Sequence, residues 1–257
     1  MNADELVHDL VALGLARGLT LLVHASLRSI GWVDGGAATV VTALRRVLGP
    51  GGTLVAATPT EENSDTSRAH LSVVAGMSVR QVRDFRRGMP AFDRFKTPAD
   101  TGRIAEAVRT APDAIRSAHP QSSFAAIGPL ARQLMRRHPV QCHLGEDSPL
   151  GKLYQVDAWV LMLGVGYQSC TALHLAEYRY APDPPRRTYQ CVIQYRGRPQ
   201  WRKYSDVVLD DSDFCAVGDV LDKEVMQHRG YVGNAECRLM PLREVVDRAT
   251  EWMRVHR

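Results

Sequence analysis

Histidine and glutamate three positions apart, in Thr171-Ala172-Leu173-His174-Leu175-Ala176-Glu177, are the pair in this chain best placed to move a proton. The segment follows Ala158-Trp159-Val160-Leu161-Met162-Leu163, the most apolar stretch of the chain, and so opens a helix at the carboxyl end of a buried strand. That is where α/β sheets hold their ligands. With Ser169 or Thr171 as the cap, His174 falls in the first turn, where the positive end of the helix dipole disfavours imidazolium. A general base has to be neutral to accept a proton. Glu177 shares the face of His174 and can orient its ring or bind a cationic substrate. His-x-x-Glu is short and common, and an exposed histidine beside an incidental acid is the alternative.

Other constellations suggest binding. Ser26-Leu27-Arg28-Ser29-Ile30-Gly31 opens onto Gly35-Gly36-Ala37, joining hydroxyls, an arginine and helix N-terminal amides in a cradle for phosphate. A capped helix start without ligand satisfies the same residues. Neither G-x-x-x-x-G-K-[ST] nor G-x-G-x-x-G occurs, which argues against nucleotide hydrolysis and a standard dinucleotide site. Two acidic loops, Glu61-Glu62-Asn63-Ser64-Asp65 and Gly145-Glu146-Asp147-Ser148, either gather a cationic ligand or face solvent. No metal is expected, because His138, Cys142 and His143 lack zinc spacing and H-E-x-x-H is absent. A nucleophilic serine loses support with the absence of G-x-S-x-G. Cys170, beside the start of the His174 helix, is a weaker candidate for a low-pKa thiol nucleophile.

The elements that must position these residues follow from periodicity. Asp4 can cap a helix carrying Leu6, Leu10 and Leu13, with Gly18 as its stop. Leu21–Ala25 and Thr53–Ala57 read as strands around a helix at Ala37–Leu48, a unit that makes a parallel pair. Residues 58–101 lose all period, the mark of a lid or binding loop. Helices are expected near 102–109, 130–137, 214–229 and 242–256. A strand is expected at 235–240, and a hairpin joins 188–195 to 200–204. The fold class is α/β, a three-layer α/β/α arrangement with a mixed, partly parallel central sheet and a C-terminal hairpin-containing portion. The chain reads as one domain over 1–257, with 186–257 as a candidate subdomain.

Composition narrows the function classes. With 45% hydrophobic residues, 23% charged and a net charge of +4, the 257 residues describe a globular protein. Only Lys96, Lys152, Lys203 and Lys223 are lysines among 32 basic residues, a skew that codon usage accounts for. The basic runs 80–87 and 132–137 are short and helix-like, unlike the basic stripe with interleaved aromatics of a nucleic-acid protein. No apolar run reaches the roughly 20 residues of a membrane span. Five scattered cysteines and an acidic N-terminus point to a reduced, cytoplasmic protein.

Taken together, Leu22–Gly31, Gly51–Leu54, His119-Pro120-Gln121-Ser122-Ser123-Phe124 with Ala125–Gly128, Gly145–Leu153 and Thr171–Glu177 resemble the aminoglycoside 3-N-acetyltransferase family, which is distinct from the GNAT fold. The resemblance covers about residues 20–185. It implies transfer of acetyl from acetyl-CoA directly to the 3-amino group of a 2-deoxystreptamine aminoglycoside, conferring resistance, with His174 as general base and Glu177 as its acidic partner. It implies coenzyme contacts at Ser26, Arg28, Ser29, Val33, Ser122, Ser123 and Phe124. Acceptor contacts are expected at Glu61, Asp65, Glu146, Asp147 and Glu177. Residues 60–98 match the family poorly. The expected partners are the two substrates, with neither nucleic acid nor membrane, for a monomer or homodimer. The alternatives are an acyltransferase or acyl-CoA hydrolase acting on another small amine or on water, and a non-catalytic binder of a cationic ligand.

Overall fold

The structure is a computed structural model that describes residues 1–257, the side chain of Glu61 excepted. Helix α1 spans Ala3–Ala12 and is capped by Asn2, not by Asp4. Asn2 Oδ1 accepts the amides of Asp4 and Glu5, while Glu5 returns a carboxylate to the Asn2 amide, so two end donors are satisfied reciprocally. The helix stops well before Gly18, and Gly14 (φ 102°) turns the chain.

The central unit forms as the apolar pattern requires. Strand β1 (Thr20–Ala25), the one-turn helix α2 (Leu27–Ile30), α3 (Ala37–Leu48) and β2 (Thr53–Ala57) follow in order, with Thr20 opposite Thr53 in a parallel pair. Residues 58–101, expected to be irregular, contain helices α4 (Arg68–Val74) and α5 (Val79–Gly88). Helix α5 starts at a Ser78–Gln81 capping box, yet none of its residues is buried. It carries few apolar residues and no core covers a face of it, so no broad apolar stripe marks it in the sequence.

Next come α6 (Arg103–Arg109), β3 (Ile115–Arg116), β4 (Phe124–Ile127), α7 (Ala131–Met135), α8 (Pro149–Gln155) and β5 (Trp159–Leu163). A 3₁₀ turn at Tyr167–Ser169 then leads to α9 (Leu173–Glu177). The chain continues through β6 (Arg186–Tyr195), β7 (Arg198–Val207), α10 (Phe214–Glu224), β8 (His228–Val232), β9 (Ala235–Pro241) and α11 (Leu242–His256). The expected helix to residue 229 ends at Glu224, because 228–232 pair with β9 across a turn at Gly233 (φ 58°).

The main sheet has the order β3-β4-β2-β1-β5-β9-β8. β2 and β5 run parallel to β1, whereas β4 and β9 run antiparallel to their neighbours. Successive strand residues serve opposite faces, as the two-residue period demands. Leu22, Val55, Val160 and Met162 face one apolar layer with α9, α10 and α11. Leu21, Val23, Leu54 and Leu161 face the other with α1, α3 and α6. The three-layer mixed α/β fold is therefore as expected. Among the described residues no helix is long and apolar enough to cross a membrane.

Strands β6 and β7 form a separate two-stranded sheet. Arg196 (φ 49°) and Gly197 (φ 77°) make the left-handed turn that suits a tight hairpin. Three imidazoles join this hairpin to the main sheet. The His119 ring packs at a tilt against those of His138 and His143, with centroids 4.7 and 4.6 Å away. His143 Nε2 meets the Tyr204 hydroxyl of β7 at 2.7 Å, and its amide donates to Asp206 at 2.6 Å. His138 Nδ1 meets the Ser117 hydroxyl and its Nε2 the carbonyl of His143. Burial pushes His138 and His143 down to about 3 and His119 well below its ordinary value.

These imidazoles are neutral in the fold, whereas in the unfolded chain they titrate near their ordinary 6.5. Above that pH neither state binds the protons, and stability is full. Below it the unfolded chain takes up protons that the fold refuses, so stability falls as pH drops from about 6.5 toward 3. Urea unfolding at pH 7.5 and 5.5 should differ by about 1 kcal/mol for each of the three histidines. Equal midpoints and slopes at the two pH values would show that the layer is not held neutral.

Candidate active site

A cleft of about 640 Å³ opens at the carboxyl ends of β1 and β5 and is lined in part by His24, Ala25, Ser122, Ser123, Phe124 and His174. His174 reaches it from the second residue of α9. The expected serine or threonine cap is not made: Ala172 occupies the cap position without a side-chain bond, because the 3₁₀ turn feeds the helix directly. The Leu173 amide bonds to the Cys170 carbonyl and the His174 amide to that of Thr171.

Glu177 stands behind the imidazole. His174 Nδ1 lies 2.7 Å from Glu177 Oε2, which fixes the ring and leaves Nε2 as the basic nitrogen. The ring also packs 4.7 Å from Phe214. The Glu177 side chain is 1% exposed. Its other oxygen accepts the Asp210 amide and Arg257 Nη1, both at 2.8 Å. Arg257 in turn holds the Asp210 carbonyl and the Asp213 carboxylate. A carboxylate so deeply buried is tolerable because all these donors converge on it.

Two further imidazoles line the cleft, His24 and the His143 that anchors the hairpin. His24 belongs to β1, and its Nε2 is buried without a hydrogen-bond partner among the described residues. Burial, followed by the proximity of His174, lowers its pKa to about 4. Its signal in the sequence was a polar residue at the end of an otherwise apolar strand. Cys170 also borders the cleft, but burial pushes its thiol up to about 12. The low-pKa thiol considered from its place near a helix start is therefore overturned: the side chain is fully buried, and burial outweighs the two amides near it.

Of the other sequence candidates, Ser122, Ser123 and Phe124 line the cleft and the remaining ones described are dispersed. Ser122 Oγ lies 3.1 Å from His119 Nδ1, and Ser123 Oγ is engaged with Thr58 and Arg116. Ser26 caps α2 by accepting the Ser29 amide, and the Ser29 hydroxyl lies 2.9 Å from the Gly164 carbonyl. Arg28 is exposed and Val33 is buried, and Ser26, Arg28, Ser29 and Val33 are not among the residues that line the cleft. The Asp65 carboxylate accepts the amide and side-chain nitrogen of Gln190, anchoring the hairpin. Glu146 forms a two-point pair with Arg179, and Asp147 is exposed; neither lines the cleft. The side chain of Glu61 lies outside the described residues. Charged lining residues not singled out from the sequence are Arg68, Arg187 and Asp211.

Fold and site together define a three-layer α/β protein whose cleft presents a carboxylate-oriented imidazole to a small substrate. A family model described as aminoglycoside 3-N-acetyltransferase matches residues 22–254, and the chain belongs to that acyltransferase family. It is 38% identical to the prophage-derived aminoglycoside N(3′)-acetyltransferase-like protein YokD of Bacillus subtilis, over 97% of this chain and 91% of that protein. The crystal structure of YokD superposes with a TM-score of 0.91, covering 98% of this chain and 93% of that one. A structure of AAC-IIIb in a binary complex with CoASH matches with a TM-score of 0.85 at 28% identity, covering 100% of this chain and 97% of that one. AAC-VIa bound to sisomicin also gives 0.85, at 29% identity, covering 100% and 98%.

Two outcomes test this geometry. Cys170→Ala should remain active, and mass spectrometry after incubation with acetyl-CoA alone should find no acetyl group on Cys170; an adduct there would restore the thiol as nucleophile. Arg257→Ala removes a charged partner from buried Glu177 and should lower the unfolding free energy by about 3 kcal/mol, read by denaturant titration. A loss no larger than that of an exposed surface pair would show that Arg257 does not hold the carboxylate.

Proposed function

We propose that the protein transfers the acetyl group of acetyl-CoA to the 3-amino group of a 2-deoxystreptamine aminoglycoside, with His174 as general base, and so confers resistance. The observation that carries this reading is the His174–Glu177 pair facing a cleft large enough for small substrates. Family membership supports it, as do the CoASH and sisomicin complexes of structural relatives.

In this mechanism His174 Nε2 takes a proton from the acceptor amine as its nitrogen attacks the thioester carbonyl carbon. The C–N bond forms, negative charge gathers on the carbonyl oxygen, and the C–S bond then breaks. The proton passes from the imidazolium to the departing thiolate, so neither an acyl-enzyme nor a redox partner is needed. Glu177 holds Nδ1–H and stabilises the imidazolium while it exists. Positioned base catalysis is typically worth about 10² to 10⁴ in rate. The donor is read along the Ser26–Val33 segment and Ser122–Phe124, where exposed Arg28 offers a cation to its phosphates.

The reading as a non-catalytic binder of cations relied on the acidic loops, but Asp65 and Glu146 are engaged with Gln190 and Arg179 instead. Hydrolysis of acyl-CoA is separated from amine acetylation by measuring thiol release with and without acceptor. Wild-type protein should release thiol from acetyl-CoA only when a 2-deoxystreptamine aminoglycoside is present. His174→Ala should lower kcat by about 10² to 10⁴ while still binding acetyl-CoA. Wild-type turnover in that variant would remove His174 from the chemistry.

A further inference from the structure

The charge of the cleft runs against a polycationic acceptor. Leaving histidines aside, its charged lining residues among those described are Arg68, Arg187 and Asp211. Asp211 is thus the one carboxylate, and it is already taken: Arg68 Nη2 lies 2.6 Å from its Oδ1. The partners are far apart in the chain. Arg68 opens α4, and Asp211 lies between β7 and α10.

The two side chains are held very differently. Arg68 is 85% exposed and Asp211 35% exposed, so water is available to the guanidinium if the pair opens. An exposed pair of this kind contributes little to stability. The backbone that carries Asp211 is tied to the catalytic pair. The neighbouring Asp210 amide donates to Glu177, Arg257 holds the Asp210 carbonyl, and the Asp211 carbonyl accepts the Phe214 amide. Asp211 therefore keeps a set offset from His174 while Arg68 is free to leave.

We propose that Asp211 is the anchor for an ammonium group of the acceptor, and that Arg68 occupies this anchor in the empty enzyme as a stand-in cation. The acceptor's identity rests on the acetyl-transfer reading above. An incoming polyamine sugar exchanges one exposed ion pair for another, and its remaining ammonium groups repel Arg68 and Arg187 at the same time. Arg68 then moves into solvent. An acceptor without an ammonium at the required distance from its reacting amine gains nothing from the exchange, so the pair acts as a specificity filter.

The test is calorimetric titration of sisomicin into the full-length protein without acetyl-CoA, using wild type, Asp211→Asn, Arg68→Ala and the double variant. Asp211→Asn should weaken binding about tenfold, and Arg68→Ala should tighten it about threefold to tenfold. In the Asp211→Asn background, Arg68→Ala should lose that benefit, which identifies direct coupling. Unchanged affinity in Asp211→Asn, weaker binding in Arg68→Ala, or no binding to wild type would each overturn the proposal. A raised KM for acetyl-CoA in Arg68→Ala would assign Arg68 to the donor's phosphates and overturn it as well. Thiol release is measured separately: sisomicin that binds wild type without being acetylated refutes the acetyl-transfer reading, while the four affinities still decide the role of Asp211 and Arg68.

Discussion

A buried carboxylate must have every oxygen bonded, and Glu177 meets that requirement by drawing three parts of the chain to one point. His174 comes from the same short helix, the Asp210 amide from the turn after the hairpin, and Arg257 from the end of α11. Local sequence supplies only the first of these. The others depend on β9 placing α11 against α9, and on the hairpin delivering residues 208–213 to the rim of the cleft. The position of the imidazole is consequently a property of the whole α/β scaffold.

The hairpin has its own anchorage, and that anchorage is made of polar groups. Tyr204, His143, Asp206 and Tyr178 form a buried chain of hydrogen bonds where an apolar layer would ordinarily lie. Such a network fixes one register, because slipping a strand by one residue would leave several buried donors and acceptors unpaired. Asp65 adds a second clamp by bonding Gln190 of β6. The acidic residue expected to meet substrate thus helps to hold the hairpin.

What was legible in the sequence was whatever a local period or a covered strand encodes. Helices α3 and α11 follow from their apolar spacing, and β5 follows from a run of residues covered on both faces. His-x-x-Glu is legible because i and i+3 side chains meet on any helix. Helix α5 is obscured by its exposure, which leaves no buried stripe to detect. Strand β8 was hidden by Arg229 and Gly230, residues whose strand character comes from pairing with β9. Arg257 and Asp211 could not be found locally: the one acts on a residue eighty positions away, and the other is one aspartate among Asp210, Asp211 and Asp213. Only the folded chain shows which of the three lines the cleft.

Three imidazoles line the cleft, those of His24, His143 and His174, and comparing them clarifies why one carboxylate matters so much. His143 is engaged by the Tyr204 hydroxyl and held down to about 3 by burial, which leaves His24 and His174 as the rings to compare. Among the described residues His24 has no hydrogen-bond partner at Nε2, and it is held down to about 4, so a proton there would be a buried charge without a partner. His174 has Glu177 at 2.7 Å, so a proton it takes from a substrate sits beside a carboxylate. Once His174 carries the proton, its charge makes protonation of His24 less favourable still. In the proposed transfer this asymmetry sends the proton to the one imidazole from which it can return to the leaving thiolate. His24 contributes by remaining neutral, and Glu177, held from three sides, sets the difference between them.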